Sequence, residues 1–179
     1  MLDEKKFIIR SYICNPREKI YDLFLLKNNP SRFLIDIDDT SAIAKIKNAI
    51  DRDYIEGVIY IQYGNQIVMD YTMWDLVDQL WSYIITAIKQ YLVDGASKFY
   101  FPDQPLLIEL QKKSHTEIGF KVHDQELKEW ILPEQSFLIA LLKSAQHFFT
   151  QLNNLELIDN DNYHYQRKKI DQTYELLPH

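Results

Sequence analysis

Asp70-Tyr-Thr-Met-Trp-Asp-Leu-Val-Asp-Gln-Leu-Trp-Ser-Tyr-Ile-Ile-Thr-Ala-Ile-Lys-Gln-Tyr-Leu-Val-Asp-Gly95 is the stretch that decides the fold. At helical spacing, Asp75, Asp78, Gln79, Ser82, Thr86, Lys89 and Gln90 share one polar arc. Trp74, Val77, Leu80, Trp81, Ile84, Ile85, Ile88, Tyr91 and Leu92 fill the rest of the circumference. The spacing predicts one long helix that is mostly apolar and must therefore lie against a broad surface, most simply the face of a sheet. Thr72 with Asp75 three residues on predicts a capping-box start, and Gly95 predicts the stop.

On either side of this helix the pattern predicts hairpins. Upstream, Glu56 to Tyr63 is rich in Val, Ile and Tyr and apolar on both faces, as an interior strand should be, and Gly64-Asn65 turns it into Gln66 to Asp70. Lys6 to Cys14 alternates as a strand. Asn15, Pro16 and Glu18 then predict a helix start, with Ile20, Leu23, Phe24 and Lys27 facing inward and Asn28-Asn-Pro30 as its end. Arg32 to Ile37 is read as a short strand, and Asp38-Asp-Thr-Ser41 as the cap of a weaker helix carrying Ile43, Ile46 and Ile50.

Downstream, Phe99-Tyr-Phe-Pro-Asp-Gln-Pro105 reads as a rigid connection, and Leu106 to Leu110 with Thr116 to Val122 as a second hairpin. Glu126 to Leu132 adds an edge strand, and Pro133 opens a last helix striped by Phe137, Leu138, Leu141, Leu142, Ala145, Phe148, Phe149 and Leu152. Past Asn153 the apolar spacing fades. The expected organisation is one α+β domain over residues 1–153, a mostly antiparallel sheet of hairpins packed by two long amphipathic helices, with 154–179 as a surface-draped or mobile tail.

The 179 residues suit a single domain that buries roughly 70% of its unfolded surface. A net charge of −6 and a longest basic run of only Arg167-Lys-Lys169 argue against nucleic acid and anionic membranes and permit a basic protein partner. Cys14 is the single cysteine, which excludes a disulfide framework and a Cys-rich zinc site; in a strand it reads as a small buried hydrophobe. The acidic start Met-Leu-Asp-Glu-Lys-Lys lacks the apolar run of a signal peptide, and Lys89 interrupts the only candidate membrane span, so the cytoplasm is expected. The 12 tyrosines either fill a core that has only 4 glycines or are partly displayed for recognition.

His115, His123, His147, His164 and His179 are scattered without zinc spacing, and His147 is read as part of a solvated helix face. Neither a Gly-x-Ser-x-Gly elbow nor a glycine-rich phosphate loop is present. No metal or cofactor is expected from these patterns. What stands out is acid: Asp36, Asp38 and Asp39; Asp51, Asp53 and Glu56; Asp70, Asp75 and Asp78; Asp124, Glu126 and Glu129. Such runs are either solvated surface or a face that steers and holds a cationic partner, with Tyr or Trp as anchors. The residues expected on that face are Asp36, Asp38, Asp39, Asp75 and Asp78.

Phe33-Leu-Ile-Asp36-Ile-Asp38-Asp39-Thr40 resembles the first motif of the haloacid dehalogenase superfamily of phosphatases. That resemblance implies Asp36 as the phosphoryl-accepting nucleophile, Asp38 as the general acid/base, and a shared Mg²⁺. Leu157-Ile-Asp159-Asn-Asp161 imitates the family's acidic metal motif without its preceding Gly, and the hairpins in between depart from the parallel sheet that family needs.

Trp74-Asp-Leu-Val-Asp-Gln-Leu-Trp81 followed by Phe101-Pro-Asp-Gln-Pro105 resembles small bacterial proteins of the kind encoded beside polymorphic toxins as immunity factors. The expected function is therefore non-catalytic binding of a basic protein, such as a toxin to be neutralised. The alternative is a Mg²⁺-dependent phosphatase using Asp36 and Asp38.

Overall fold

In the computed structural model, which describes residues 6–178, β1 (Phe7–Cys14) leads into two short helices, α1 (Leu23–Asn28) and α2 (Pro30–Phe33). β2 (Leu34–Asp36), α3 (Thr40–Ile46), β3 (Glu56–Tyr63), β4 (Gln66–Met69), β5 (Trp74–Leu76) and the long α4 (Val77–Asp94) follow. The second half is a meander of β6 (Ala96–Tyr100), β7 (Leu107–Lys112), β8 (Glu117–His123) and β9 (Leu127–Pro133), then α5 (Glu134–Asn154) and α6 (Asn160–Tyr174). The first five residues of the acidic start and His179 lie outside the described residues.

All strand pairing is antiparallel. Sheet A runs β2-β1-β3-β4, with β5 sharing the same side of β3 as β4; sheet B runs β6-β7-β8-β9. The protein is α+β, and helices pack against both sheets. Alternation in β1 sends Phe7, Ser11 and Ile13 to the helices, where Phe7 meets Phe137 and Ser11 accepts a hydrogen bond from the Trp81 indole N–H at 2.9 Å. One buried cluster joins Ile59 and Ile61 of sheet A, Ile108, Ile118 and Phe120 of sheet B, and Trp81, Phe137, Phe148 and Phe149 of the helices. Burying each such side chain contributes about 1.5–3 kcal/mol. A smaller cluster of Cys14, Leu26, Phe33, Leu34 and Val58 lies on the other face of sheet A, under α1 and α2.

Several local expectations are corrected. Leu23, Phe24 and Lys27, read as an inward face, are exposed, and α1 buries Leu26 instead; Arg32 and Phe33, read as strand, close α2. The long helix starts at Val77, because Trp74 to Leu76 first pair with β3; Thr72 bonds back to the Asp70 carboxylate instead of opening a capping box. Its stop is as read, with Gly95 at φ 76° and its N–H on the Tyr91 carbonyl at 2.8 Å. Asn15 makes a side-chain turn to the N–H of Arg17, and the helix begins only at Leu23, capped by Asp22. Part of the stretch read as a rigid connection, Phe99-Tyr100, is strand. Residues 160–174, expected as a draped or mobile tail, form α6, which is capped by Asp159 and seats Ile170 and Thr173 against the rest of the protein.

Gly57 explains how closely α4 approaches the sheet. A Cβ built there would lie 2.1 Å from the Tyr12 carbonyl oxygen and 2.7 Å from Val77 Cγ1. The expected outcome for Gly57→Ala is a loss of about 2 kcal/mol or more in urea unfolding, since neither backbone nor first helical turn can retreat without breaking the β1–β3 ladder. A stability equal to wild type would contradict this seating.

Candidate functional site, the Asp36 loop and the open face of sheet A

The loop that follows β2 carries three of the acids singled out in the sequence, and each has a local job. Asp36 Oδ1 accepts the N–H of Asp38 at 3.0 Å, and its Oδ2 lies 3.4 Å from Arg10. Asp39 caps α3, accepting from the N–H of Ala42 at 2.9 Å and from Ser41. Asp38 turns the opposite way, towards α5, where Oδ1 meets His147 Nε2 at 2.6 Å and the Gln151 amide at 2.9 Å. The Gln151 hydrogen bond first, and then the His147 ring, hold the Asp38 carboxyl below the usual carboxylate range, against an opposing contribution from burial. His147 and Gln151 are four residues apart on one helix, so the solvated face expected for His147 latches this loop.

The other two acids are elsewhere. Asp75 is 1% exposed and stands at the middle of β5, two residues before α4 begins. Its Oδ1 accepts the N–H of Leu76 at 2.6 Å, and Oδ2 accepts those of Asp103 at 3.2 Å and Gln104 at 2.9 Å. Such burial withdraws Asp75 from any docking face and makes it a clasp between sheet A and the turn joining β6 to β7. Asp78, in the first turn of α4, is only partly exposed, and burial raises its pKa. The five acids thus do not form one surface; Asp36, Asp38 and Asp39 stay together.

Two clefts flank the Asp36 loop. One, of about 180 Å³, is lined by Arg10, Ser11, Asp36, Asp38, Lys143 and His147 among others. The other, of about 430 Å³, lies between Tyr12, Tyr71, Asp36 and Asp39 on one side and Pro30 and Ser31 on the other. The second cleft opens onto the outer face of sheet A, where strand register places side chains in rows. Asp36, Tyr12, Val58 and Trp74 form one row, Arg10 and Tyr60 the next, and Ile8, Gln62 and Ile67 the last. Tyr60 stacks on Tyr71 with centroids 4.9 Å apart, and Tyr12 meets Tyr71 edge-on at 5.6 Å. Burial raises the phenol pKa of both Tyr12 and Tyr60.

This face is half covered. Leu26 of α1 seals the Cys14–Val58 end, and Cys14 is a buried thiol whose pKa burial pushes up to about 12. The other end is bare, with Ile8 42% and Ile67 49% exposed, and α1 adds Phe24 at 72%. Neither the tyrosine cluster nor the His147 latch is visible as a sequence motif. The nearest signal is the even-numbered set Ile8, Arg10, Tyr12 in β1, too apolar for an ordinary solvated face.

Among the described residues, no three His, Cys, Asp or Glu side chains gather as metal ligands, and no helix is long and apolar enough to cross a membrane. Compared with protein-family models, with curated proteins and with solved structures, the chain finds no match in any of the three.

Two outcomes are expected. Asp75→Ala removes the carboxylate that accepts the N–H groups of Leu76, Asp103 and Gln104 and should cost about 2 kcal/mol in urea unfolding; a change below about 0.5 kcal/mol would remove the clasp from the account. Because the Asp38 pKa is lowered in the fold, its contribution is complete above its unfolded value of about 3.9 and is lost as pH falls through the folded one. Exposure keeps that contribution small. Wild type should therefore be more stable than Asp38→Asn at pH 7, the two converging in acid; parallel profiles down to about pH 2 would contradict the latch.

Proposed function

We propose that this protein works by binding rather than catalysis, holding a basic protein partner on the bare end of sheet A's outer face. Neutralisation of a toxin, implied by the resemblance of Trp74 to Trp81 and Phe101 to Pro105 to immunity factors, is the most concrete form of this reading. The observation that carries it is the Tyr12–Tyr71–Tyr60 cluster, set beside Asp36 and Asp39 and flanked by exposed Ile8 and Ile67. Rigid aromatic rings supply contact area at low entropic cost, and a lysine or arginine gains both from their faces and from the carboxylates beside them. A net charge of −6 adds long-range attraction for a basic partner and raises its on-rate.

The phosphatase alternative has less support. Asp36 is engaged by the Asp38 N–H and Arg10, and Asp38 by His147 and Gln151, so the two carboxylates face different donors and do not fit a shared Mg²⁺ as they stand. Hydrolysis of a generic phosphate ester with Mg²⁺ tests it. Turnover abolished by Asp36→Asn would favour it over binding, and equal turnover by the two proteins would dismiss it.

For the binding reading, the partner should be captured from the native host at low salt and its affinity then measured against variants. Tyr60→Ala and Tyr71→Ala should each weaken it by about 2 kcal/mol, roughly 30-fold, and raising salt should weaken it further. Tyr165→Ala, on the exposed side of α6, should leave it unchanged. A partner indifferent to both sheet A variants would overturn the assignment.

A further inference from the structure

Among the described residues, sheet B ends in a strand, β9, that pairs on one side only, and its hydrogen-bonding phase can be read from its two ends. The N–H of Glu134 donates to the Thr116 carbonyl at 2.9 Å, and that of Asp124 to the Glu126 carbonyl at 3.3 Å. With the register Lys121↔Glu129 and Gly119↔Ile131, these bonds set the ladder so that Lys128, Trp130 and Leu132 bond to β8. Leu127, Glu129 and Ile131 therefore turn their own N–H and C=O groups outward. Among the described residues no backbone group bonds them on that side. β9 is seven residues long and its register with β8 is unbroken. The Pro133 that protects many such edges stands only at its last position.

The side chains on the outer face show what would fit there. Register sets Lys98 opposite Glu109, Glu109 opposite Lys121 and Lys121 opposite Glu129, a row of alternating charge that crosses all of sheet B and stops at the edge on Glu129, whose Oε1 meets Lys113, lying over Gly119 of β8, at 2.8 Å. Leu127 at 58% and Ile131 at 48% exposure flank Glu129 two residues away on the same face. The next strand of the row would place a cation opposite Glu129 and apolar side chains opposite Leu127 and Ile131. A second copy of this strand does not meet that demand. Antiparallel self-pairing about Glu129 opposes two carboxylates, and pairing about Trp130 sets Glu129 against Ile131.

We propose that β9 is a docking edge that takes an extended partner segment as a fifth strand of sheet B, of the pattern apolar-x-basic-x-apolar, with the basic residue opposite Glu129. Main-chain bonds to Leu127, Glu129 and Ile131 supply the affinity, and the charge row supplies the specificity. The edge is separate from the tyrosine face of sheet A, and the inference does not rest on the function proposed for that face.

The test uses the full chain and two labelled synthetic probes, Thr-Val-Thr-Lys-Thr-Val-Thr and its counterpart with Glu in place of Lys, with amide hydrogen exchange and fluorescence anisotropy as readouts. At low salt the Lys probe should bind about fivefold or more tighter than the Glu probe and protect the amides of Leu127, Glu129 and Ile131. Glu129→Lys should reverse the preference. Ile131→Pro, which removes an outward donor and no bond to β8, should weaken both probes roughly tenfold while circular dichroism stays as in wild type. Failure of both probes to bind at millimolar concentration, equal binding of the two, or protection confined to residues outside β9 would each overturn the proposal. So would protection of β9 that grows with protein concentration in the absence of probe, since the occupant would then be a second copy.

Discussion

A buried carboxylate holds the two halves of this protein in register. Asp75 sits where β5 becomes α4, and it takes N–H donors from its own junction and from Asp103 and Gln104 in the turn between β6 and β7. Charged acceptors form the stronger class of hydrogen bond, and a carboxylate with 1% exposure is tolerable only when its lone pairs are taken up in this way. The two distant donors come from the turn between the first two strands of sheet B, so the clasp fixes where that turn lies relative to sheet A. Gly57 acts on the same junction from below by letting Val77 rest on the β1–β3 backbone.

With α4 seated there, the inner faces of both sheets are committed to one core, and α5 and α6 close it. The outer faces are treated differently. That of sheet B is a row of paired charges, suited to water and to one more strand at its edge. That of sheet A is aromatic and aliphatic, capped at one end by α1 and α2 and open at the other. A platform of this kind, rigid beneath and unfinished above, is what a binding function asks of a fold, because its anchors need no ordering when a partner arrives. The Asp36 loop stands at the boundary of that platform and is itself held by His147 and Gln151.

Much of the architecture could be read from period and punctuation. Glu56 to Tyr63, the Gly64-Asn65 turn, the hairpin of β7 and β8, the Gly95 stop and the stripe of α5 all appear where alternation or helical spacing places them, because local pattern and tertiary burial agree there. The misses have physical causes. Trp74 to Leu76 fit a helical wheel as well as a strand, and pairing with β3 decided between them. The end of α5 falls where the apolar spacing fades, as read, although its left-handed cap, Glu156 at φ 54° with the Leu157 N–H on the Leu152 carbonyl at 2.8 Å, has no glycine to announce it. α6 is polar almost all round and exists because Ile170 and Thr173 find a place on the preceding helices, which its own composition does not reveal. As for the site, sequence gathers Asp36, Asp38 and Asp39 but cannot show that Asp75 points inward, that Asp38 faces His147, or that Tyr12, Tyr60 and Tyr71 meet across three segments.

Native-state hydrogen exchange at the amides of Asp103 and Gln104 tests the clasp most directly. If Asp75 binds the halves into one cooperative body, these two amides, though they lie in a turn, should exchange only on global unfolding, with the same denaturant dependence as Leu80 and Trp81 in α4. Exchange of Asp103 and Gln104 through local opening while α4 remains protected would show that the halves are joined by packing alone and would contradict the account.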